Sequence, residues 1–160
     1  MPLPARDLVF YAALSLGAAV DAACAEPNRV TLPADPEALT HFATVTRGEI
    51  TERMATTPEA IAAAGRGEPL PDGTHVILID RRQGAVHRYL VMQKGEGWGE
   101  DHAEADRTGD WRFQWFRPDG SINMEEDTAR CRSCHSSRDD RSFMFTFRDL
   151  QTFARTGEVR

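Results

Sequence analysis

The feature that most constrains this chain is the pentapeptide from Cys131 to His135, which reads C-x-x-C-H. This pattern is typical of c-type haem attachment. Two thiols on one turn can each form a thioether bond with a haem vinyl group, and the adjacent histidine can bind the iron. A covalently held haem stays bound without burial of the whole macrocycle, so a small domain suffices. The motif predicts haem c, bound through Cys131 and Cys134, with His135 as the metal ligand.

Half of a zinc site and a redox-active dithiol are the alternative interpretations of the motif. A structural zinc ion needs four ligands, commonly from a second Cys or His pair at matching spacing. The other four histidines form no such pair, and the third cysteine, Cys24, lies near the N-terminus. The motif and its context therefore favour haem.

The N-terminus has the pattern of a secretory signal peptide. Arg6 supplies positive charge, residues 8–20 form an uncharged and mostly apolar run, and residues 23–25 give a small-x-small cleavage site. We therefore expect a signal peptide at residues 1–25 and one mature domain at residues 26–160. An N-terminal helix of the domain is the alternative. Because c-type haem is attached outside the bacterial cytoplasm, the expected location is the periplasm, without membrane attachment after cleavage.

Length and charge narrow the function classes further. A chain of 160 residues suits one domain with a sizeable core. The formal net charge of −6 argues against a nucleic-acid partner and against an anionic membrane surface, since either favours clustered Lys and Arg.

Periodicity in the mature chain favours strands. Trp111, Phe113 and Trp115 alternate with Arg112 and Gln114, which predicts a strand with the aromatic residues on one face. Strands are predicted at residues 42–46, 74–80, 85–92 and 111–117, and the aromatic-rich stretch at residues 142–147 is interpreted as a fifth strand.

Helix signals are fewer and shorter. Thr57 can cap a helix that has Pro58 at its first position and Gly65 at its end. Residues 148–156 predict a terminal helix, and residues 37–42 a short one. The predicted fold class is α+β, a mainly antiparallel β-sheet with short helices, and the haem motif lies near the C-terminus.

The order of these motifs resembles the cytochrome P460 family, which includes the cytochromes c′-beta. The resemblance rests on Pro71-Asp72-Gly73-Thr74 opening a strand, on Gly109-Asp110-Trp111 opening an aromatic strand, on the C-x-x-C-H motif, and on Phe145-Thr146 after it. It implies a mainly antiparallel β fold, usually dimeric, that carries one haem c. The motif histidine binds the iron on one side, and the other side is left open.

A missing lysine divides this chain from part of the family. Cytochromes P460 proper carry a lysine bonded to the haem edge and oxidise hydroxylamine, whereas the matching position here is Leu78. The single lysine, Lys94, is interpreted as a surface residue. The resemblance therefore favours the cytochrome c′-beta type. Leu78 and Phe42 are candidate haem contacts, together with Phe113 and Trp115, and core packing is the alternative for each.

Two carboxylates just before the motif are candidates for proton transfer. In some members of the family a carboxylate at about this place accepts protons near the iron, which makes Glu126 the candidate catalytic residue. Asp127 is its neighbour, and an exposed acid is the alternative interpretation of either residue.

The expected function is a five-coordinate haem that binds nitric oxide or a similar small diatomic or nitrogen-oxide molecule. One alternative is an oxidoreductase that converts hydroxylamine or nitric oxide. Another is an electron-transfer cytochrome with Met124 or Met144 as sixth ligand. A redox partner protein could serve any of these functions, and the resemblance implies a homodimer.

Overall fold

A five-stranded antiparallel sheet forms the centre of the computed structural model, which describes residues 29–160. The predicted signal peptide, residues 1–25, lies outside the described residues. Each strand pairs with the next along the chain, so the sheet is a simple meander. The strands are β1 Thr40–Arg47, β2 Ile50–Thr56, β3 His75–Arg82, β4 Ala85–Lys94 and β5 Trp111–Phe116.

Three α-helices accompany the sheet in the described part of the chain: α1 Pro58–Arg66, α2 Thr128–His135 and α3 Phe147–Thr156. Short 3-10 turns lie at Pro36–Ala38, Trp98–Asp101, Glu104–Asp106 and Ser136–Arg141. The predicted α+β class with a mainly antiparallel sheet is therefore confirmed.

Helix α1 begins as predicted but ends later. The Thr57 hydroxyl accepts a hydrogen bond from the backbone N–H of Ala60 at 3.3 Å, and Pro58 occupies the first turn. The prediction that Gly65 ends the helix is wrong, because the left-handed cap is Gly67, with φ of 70°. Gly65 instead allows close packing, since a Cβ placed there would lie 3.1 Å from the Cβ of Ala154 on α3.

Three further segments differ from the sequence prediction. The predicted short helix at residues 37–42 is wrong, because a 3-10 turn at Pro36–Ala38 is followed by β1, which begins at Thr40. Strand β2 was not predicted, yet it pairs with β1 on one side and β3 on the other. The prediction of a strand at residues 142–147 is wrong. Those residues form a turn in which Ser142 and Phe143 have positive φ, and α3 begins at Phe147.

The sheet carries an apolar cluster on each face. One face packs with the helices, and its large buried side chains include Phe42, Leu70, Trp111, Phe113, Met144 and Leu150. The other face buries Val30, Ile77, Ile79, Tyr89, Val91 and Phe116. The C-x-x-C-H motif belongs to the helical side, where Cys131 packs against the first cluster.

Candidate functional site

A cavity of about 340 Å³ lies between the sheet and the segment that carries the C-x-x-C-H motif. Its sheet wall is built from two neighbouring rungs of cross-strand partners, because side chains at paired positions lie on the same face. One rung is Val76, Met92 and Phe113, and the next is Met54, Leu78 and Leu90. The opposite wall is formed by Glu126, Arg130, Cys131, Cys134 and His135, followed by Met144, Phe145 and Thr146.

Helix α2 presents both motif cysteines to the cavity. The Asp127 carboxylate caps this helix by accepting a hydrogen bond from the backbone N–H of Ala129 at 2.9 Å. Cys131 and Cys134 are three residues apart on the helix, so they share a face, and both thiols are free of disulfide bonds. Cys131 is half-buried, and burial, aided by the charge of Glu126, raises the pKa of its thiol. Both thiols are therefore available to one apolar ligand.

His135 ends α2 with a defined orientation. Its Nδ1 lies 2.5 Å from the carbonyl oxygen of Phe143. Because a carbonyl can only accept, Nδ1 carries the hydrogen and the lone pair of the neutral ring lies on Nε2. Burial lowers the pKa of His135, although this hydrogen bond acts in the opposite direction. Burial thus favours the neutral imidazole, and the hydrogen bond to Phe143 selects the tautomer that can bind a metal through Nε2.

Two phenylalanine rings fix the plane of the His135 imidazole. The ring of Phe113 lies 4.6 Å from it in a tilted arrangement, and that of Phe145 lies 5.1 Å away, edge to face. The Arg138 guanidinium covers the Phe145 ring at 4.6 Å. These contacts leave the imidazole little freedom to rotate.

Glu126 and Asp127 have different environments. Glu126 lines the cavity with a side chain that is 21% exposed, and its nearest cation, Arg130, lies 3.8 Å away. Asp127 is exposed and serves as the cap of α2. Of the two candidate carboxylates, only Glu126 is among the residues that line the cavity.

Of the remaining candidate haem contacts, two line the cavity and two do not. Leu78 and Phe113 line the cavity. Phe42 is fully buried in the core of the helical face and is not among the lining residues. Trp115 is the β5 partner of Leu90, but its ring lies 4.8 Å beneath the Arg88 guanidinium, outside the lining.

The two candidate sixth ligands and the single lysine differ in whether they line the cavity. Met124 is 68% exposed and is not a lining residue, whereas Met144 is 1% exposed and lines the cavity. Lys94 forms an ion pair with Asp72, with Nζ 2.8 Å from the carboxylate oxygen, and is not a lining residue. The interpretation of Lys94 as a surface residue fits only in part, because its side chain is 21% exposed and the residue ends β4.

Sequence reasoning missed several wall residues, among them Met54, Leu90 and Met92. Met54 lies on the strand that was not predicted. Leu90 and Met92 lie on a predicted strand, and the facing register with Leu78 and Val76 identifies them only once the strands are paired. Within residues 29–160, no group of three or more His, Cys, Asp or Glu side chains is arranged to hold a metal ion by itself.

A sequence model of the family described as cytochrome P460 matches residues 37–146, which is more than half of the chain. The chain belongs to the cytochrome P460 family. No curated protein matched the sequence. The predicted resemblance is therefore confirmed, and family membership implies a haem cofactor. In the part of the chain that is described, no helix is both long enough and apolar enough to cross a lipid bilayer.

The residues present fit a haem group. The cavity walls are mainly aliphatic, aromatic and thioether side chains, which suit a flat apolar macrocycle. Cys131 and Cys134 face that cavity beside an imidazole whose Nε2 lone pair is available. Thiols paired with a neutral imidazole are the donor set that a covalent haem with one axial histidine requires.

Proposed function

We propose that this protein carries one haem c, attached to Cys131 and Cys134, with His135 as the only protein ligand of the iron and a small nitrogen oxide such as nitric oxide as the physiological ligand. The single observation that carries the proposal is the hydrogen bond from His135 to the Phe143 carbonyl within an apolar cavity. The hydrogen bond at Nδ1 orients the imidazole, and Nε2 remains available for the iron.

The wall chemistry supports binding of an uncharged molecule. A five-coordinate haem iron supplies one open site at which a diatomic molecule can bind. Leu78 and Leu90 contribute branched hydrocarbon to the sheet wall, and Leu78 stands where cross-linking family members carry lysine. Such side chains limit space and donate no hydrogen bond, so they disfavour bulky or charged ligands.

An electron-transfer cytochrome needs a sixth ligand to the iron, so the positions of the methionines test this alternative. Met144 lines the cavity, and its backbone directly follows the Phe143 carbonyl that accepts the hydrogen bond from His135. A sixth ligand has to approach from the opposite side. Met54 and Met92, on the sheet wall, are the remaining thioethers that could do so.

Optical spectra with and without nitric oxide test the proposal. We expect a high-spin ferrous spectrum that converts completely on adding nitric oxide, and the same behaviour in Met54→Leu and Met92→Leu. A low-spin resting spectrum that becomes high-spin in either methionine variant would contradict the proposal and support electron transfer. Loss of axial ligation in His135→Gly, restored by added imidazole, would identify the ligand directly.

An oxidoreductase acting on hydroxylamine or nitric oxide is the second candidate, and Glu126 favours it. This carboxylate lines the cavity and is only 21% exposed, so it can exchange protons with a bound molecule. Glu126→Gln preserves size and removes the proton acceptor, and Glu125→Gln is the matched control because Glu125 is exposed and outside the lining. Oxidation of hydroxylamine with an added electron acceptor, abolished by Glu126→Gln but not by Glu125→Gln, would establish catalysis.

Export and assembly remain part of the proposal. The signal-like pattern at residues 1–25 and the need to attach haem outside the cytoplasm support a periplasmic location. Family resemblance supports a homodimer. N-terminal sequencing of the secreted holoprotein tests the first point, since a chain beginning at Glu26 is expected, and sedimentation analysis tests the second.

A further inference from the structure

The turn that follows the haem motif has an unusual backbone. Among residues 29–160, three non-glycine residues have positive φ, and two of them, Ser142 and Phe143, are consecutive. Their φ angles are 52° and 59°. Residues with a Cβ avoid this left-handed region, so two in succession persist only where surrounding contacts enforce them.

Contacts on both sides of the turn enforce this conformation. The Phe143 N–H donates to the carbonyl of Arg138 at 2.7 Å, and the Met144 N–H donates to that of Arg141 at 3.0 Å. Met144 is 1% exposed, so it anchors the end of the turn in the core. The ring of Phe143 lies so close to the backbone of Gly109 that a Cβ added there would be 3.0 Å from the Phe143 Cε2.

The result of this conformation is the position of one carbonyl group. The Phe143 carbonyl lies 2.5 Å from His135 Nδ1, eight residues back along the chain. We infer that the left-handed turn at Ser142 and Phe143 is a positioning element, which holds this carbonyl against His135 and thereby sets the donor strength of His135 toward haem iron. The inference rests on His135 being the iron ligand, as proposed above.

The physical basis is the sharing of the Nδ1 hydrogen. A histidine that donates this hydrogen to a carbonyl becomes a stronger donor at its other nitrogen, and its ring orientation is fixed. A stronger axial donor favours ferric over ferrous iron and strengthens the iron–histidine bond. Loosening the turn therefore raises the reduction potential and lowers the ferrous iron–histidine stretching frequency.

A graded series at position 142 tests the inference in the holoprotein. Ser142→Gly and Ser142→Asn tolerate the left-handed region, whereas Ser142→Ala is less tolerant and Ser142→Val least. We expect Gly and Asn to keep the wild-type stretching frequency and potential. Ala, and to a larger extent Val, shift the frequency downward and the potential upward. If the Val variant does not fold, the Ala variant decides.

Gln83 provides a matched control. It is the third non-glycine residue with positive φ, at 50°, and it lies in the β3–β4 turn, away from the cavity. Gln83→Val imposes the same kind of backbone strain, and we expect it to lower stability without moving either haem signal. A Ser142→Val or Ser142→Ala variant with wild-type frequency and potential overturns the inference, as does a Gln83→Val variant that shifts both signals equally.

Failure of the inference can be told apart from failure of the proposed function. If the wild-type protein shows the iron–histidine band and the variants at position 142 do not shift it, only the role of the turn is refuted. A wild-type protein without that band refutes five-coordinate histidine ligation, and the potentials of the same series then decide the role of the turn.

Discussion

Replacement of Asp80 by asparagine is the clearest test of how the sheet beside the cavity is held together. Asp80 follows Leu78 on the same face of β3 and is 1% exposed. Its carboxylate accepts hydrogen bonds from Arg88 Nε at 2.8 Å and from Arg82 Nη2 at 3.2 Å and Nε at 3.4 Å. Arg88 also lies over the ring of Trp115, so the carboxylate links β3 through β4 to β5.

The magnitude follows from these distances and exposures. A hydrogen bond to a charged group contributes about 1.5–3 kcal/mol, and the Arg88 bond is the short one. Breaking a fully buried ion pair costs roughly 3–5 kcal/mol, but here the side chains of Arg82 and Arg88 are 43% and 25% exposed and can rehydrate. We therefore expect Asp80→Asn to lower the free energy of unfolding by about 2 kcal/mol.

Urea denaturation of the holoprotein at neutral pH measures this change. With a slope of about 2 kcal/mol per molar urea, the midpoint falls by about 1 M. Glu68→Gln, in the exposed ion pair with Arg66, is the control and is expected to leave the midpoint unchanged. A midpoint for Asp80→Asn within error of wild type would refute the argument that this buried carboxylate stabilises the sheet.

The pH dependence supplies a second check on Asp80. Burial acts to raise the pKa of this carboxyl, but the hydrogen bonds from Arg82 and Arg88 outweigh it and hold the pKa below its ordinary value of 3.8. Its stabilising contribution is therefore present above pH 3.8 and is lost as the pH falls through the lower folded value. The difference between wild type and Asp80→Asn should shrink over that acid range, and a constant difference would contradict the assignment.

Three further changes have expected outcomes. Met144→Ala should lower the free energy of unfolding by about 2–5 kcal/mol, because a side chain that is 1% exposed leaves a cavity, and urea denaturation checks this. Gly65→Val should cost about 1–3 kcal/mol by overpacking α1 against α3, and a thermal melt of the double variant with Ala154→Gly should show partial recovery. Lys94→Met should leave the haem absorption spectrum unchanged, because Lys94 pairs with Asp72 outside the cavity lining, and a changed spectrum would show that the lysine reaches the haem.

Local signals predicted the elements that depend on nearby residues. Thr57 and Pro58 marked the start of α1, and alternation marked β5, because capping and period-two patterning act within a few residues. Strand β2 lacked such a pattern. It lies between β1 and β3, and pairing on both edges outweighs its weak intrinsic preference. The position of Gly65 misled the prediction for the end of α1, since packing against Ala154 requires a small residue there.

The site could be predicted most directly where one segment carries it. Cys131, Cys134 and His135 follow from a local motif, and family resemblance pointed to Leu78 and Glu126, both of which line the cavity. The rest of the wall comes from the sheet register, which joins residues far apart in the chain. Met54 and Met92 enter the cavity because they pair with Leu78 and Val76, and no local pattern distinguishes them from other buried methionines.

The contact that orients His135 is the part of the site most hidden from sequence. Its acceptor is a backbone carbonyl, which every residue possesses, so side-chain identity at Phe143 gives no signal for it. The aromatic run at residues 142–147 even indicated a strand, because aromatic side chains favour strands when nothing else competes. What competes is burial of Met144 and packing of Phe143 on Gly109. These contacts join segments that are separate in the chain, so the conformation that positions the carbonyl depends on the tertiary structure and not on the local sequence.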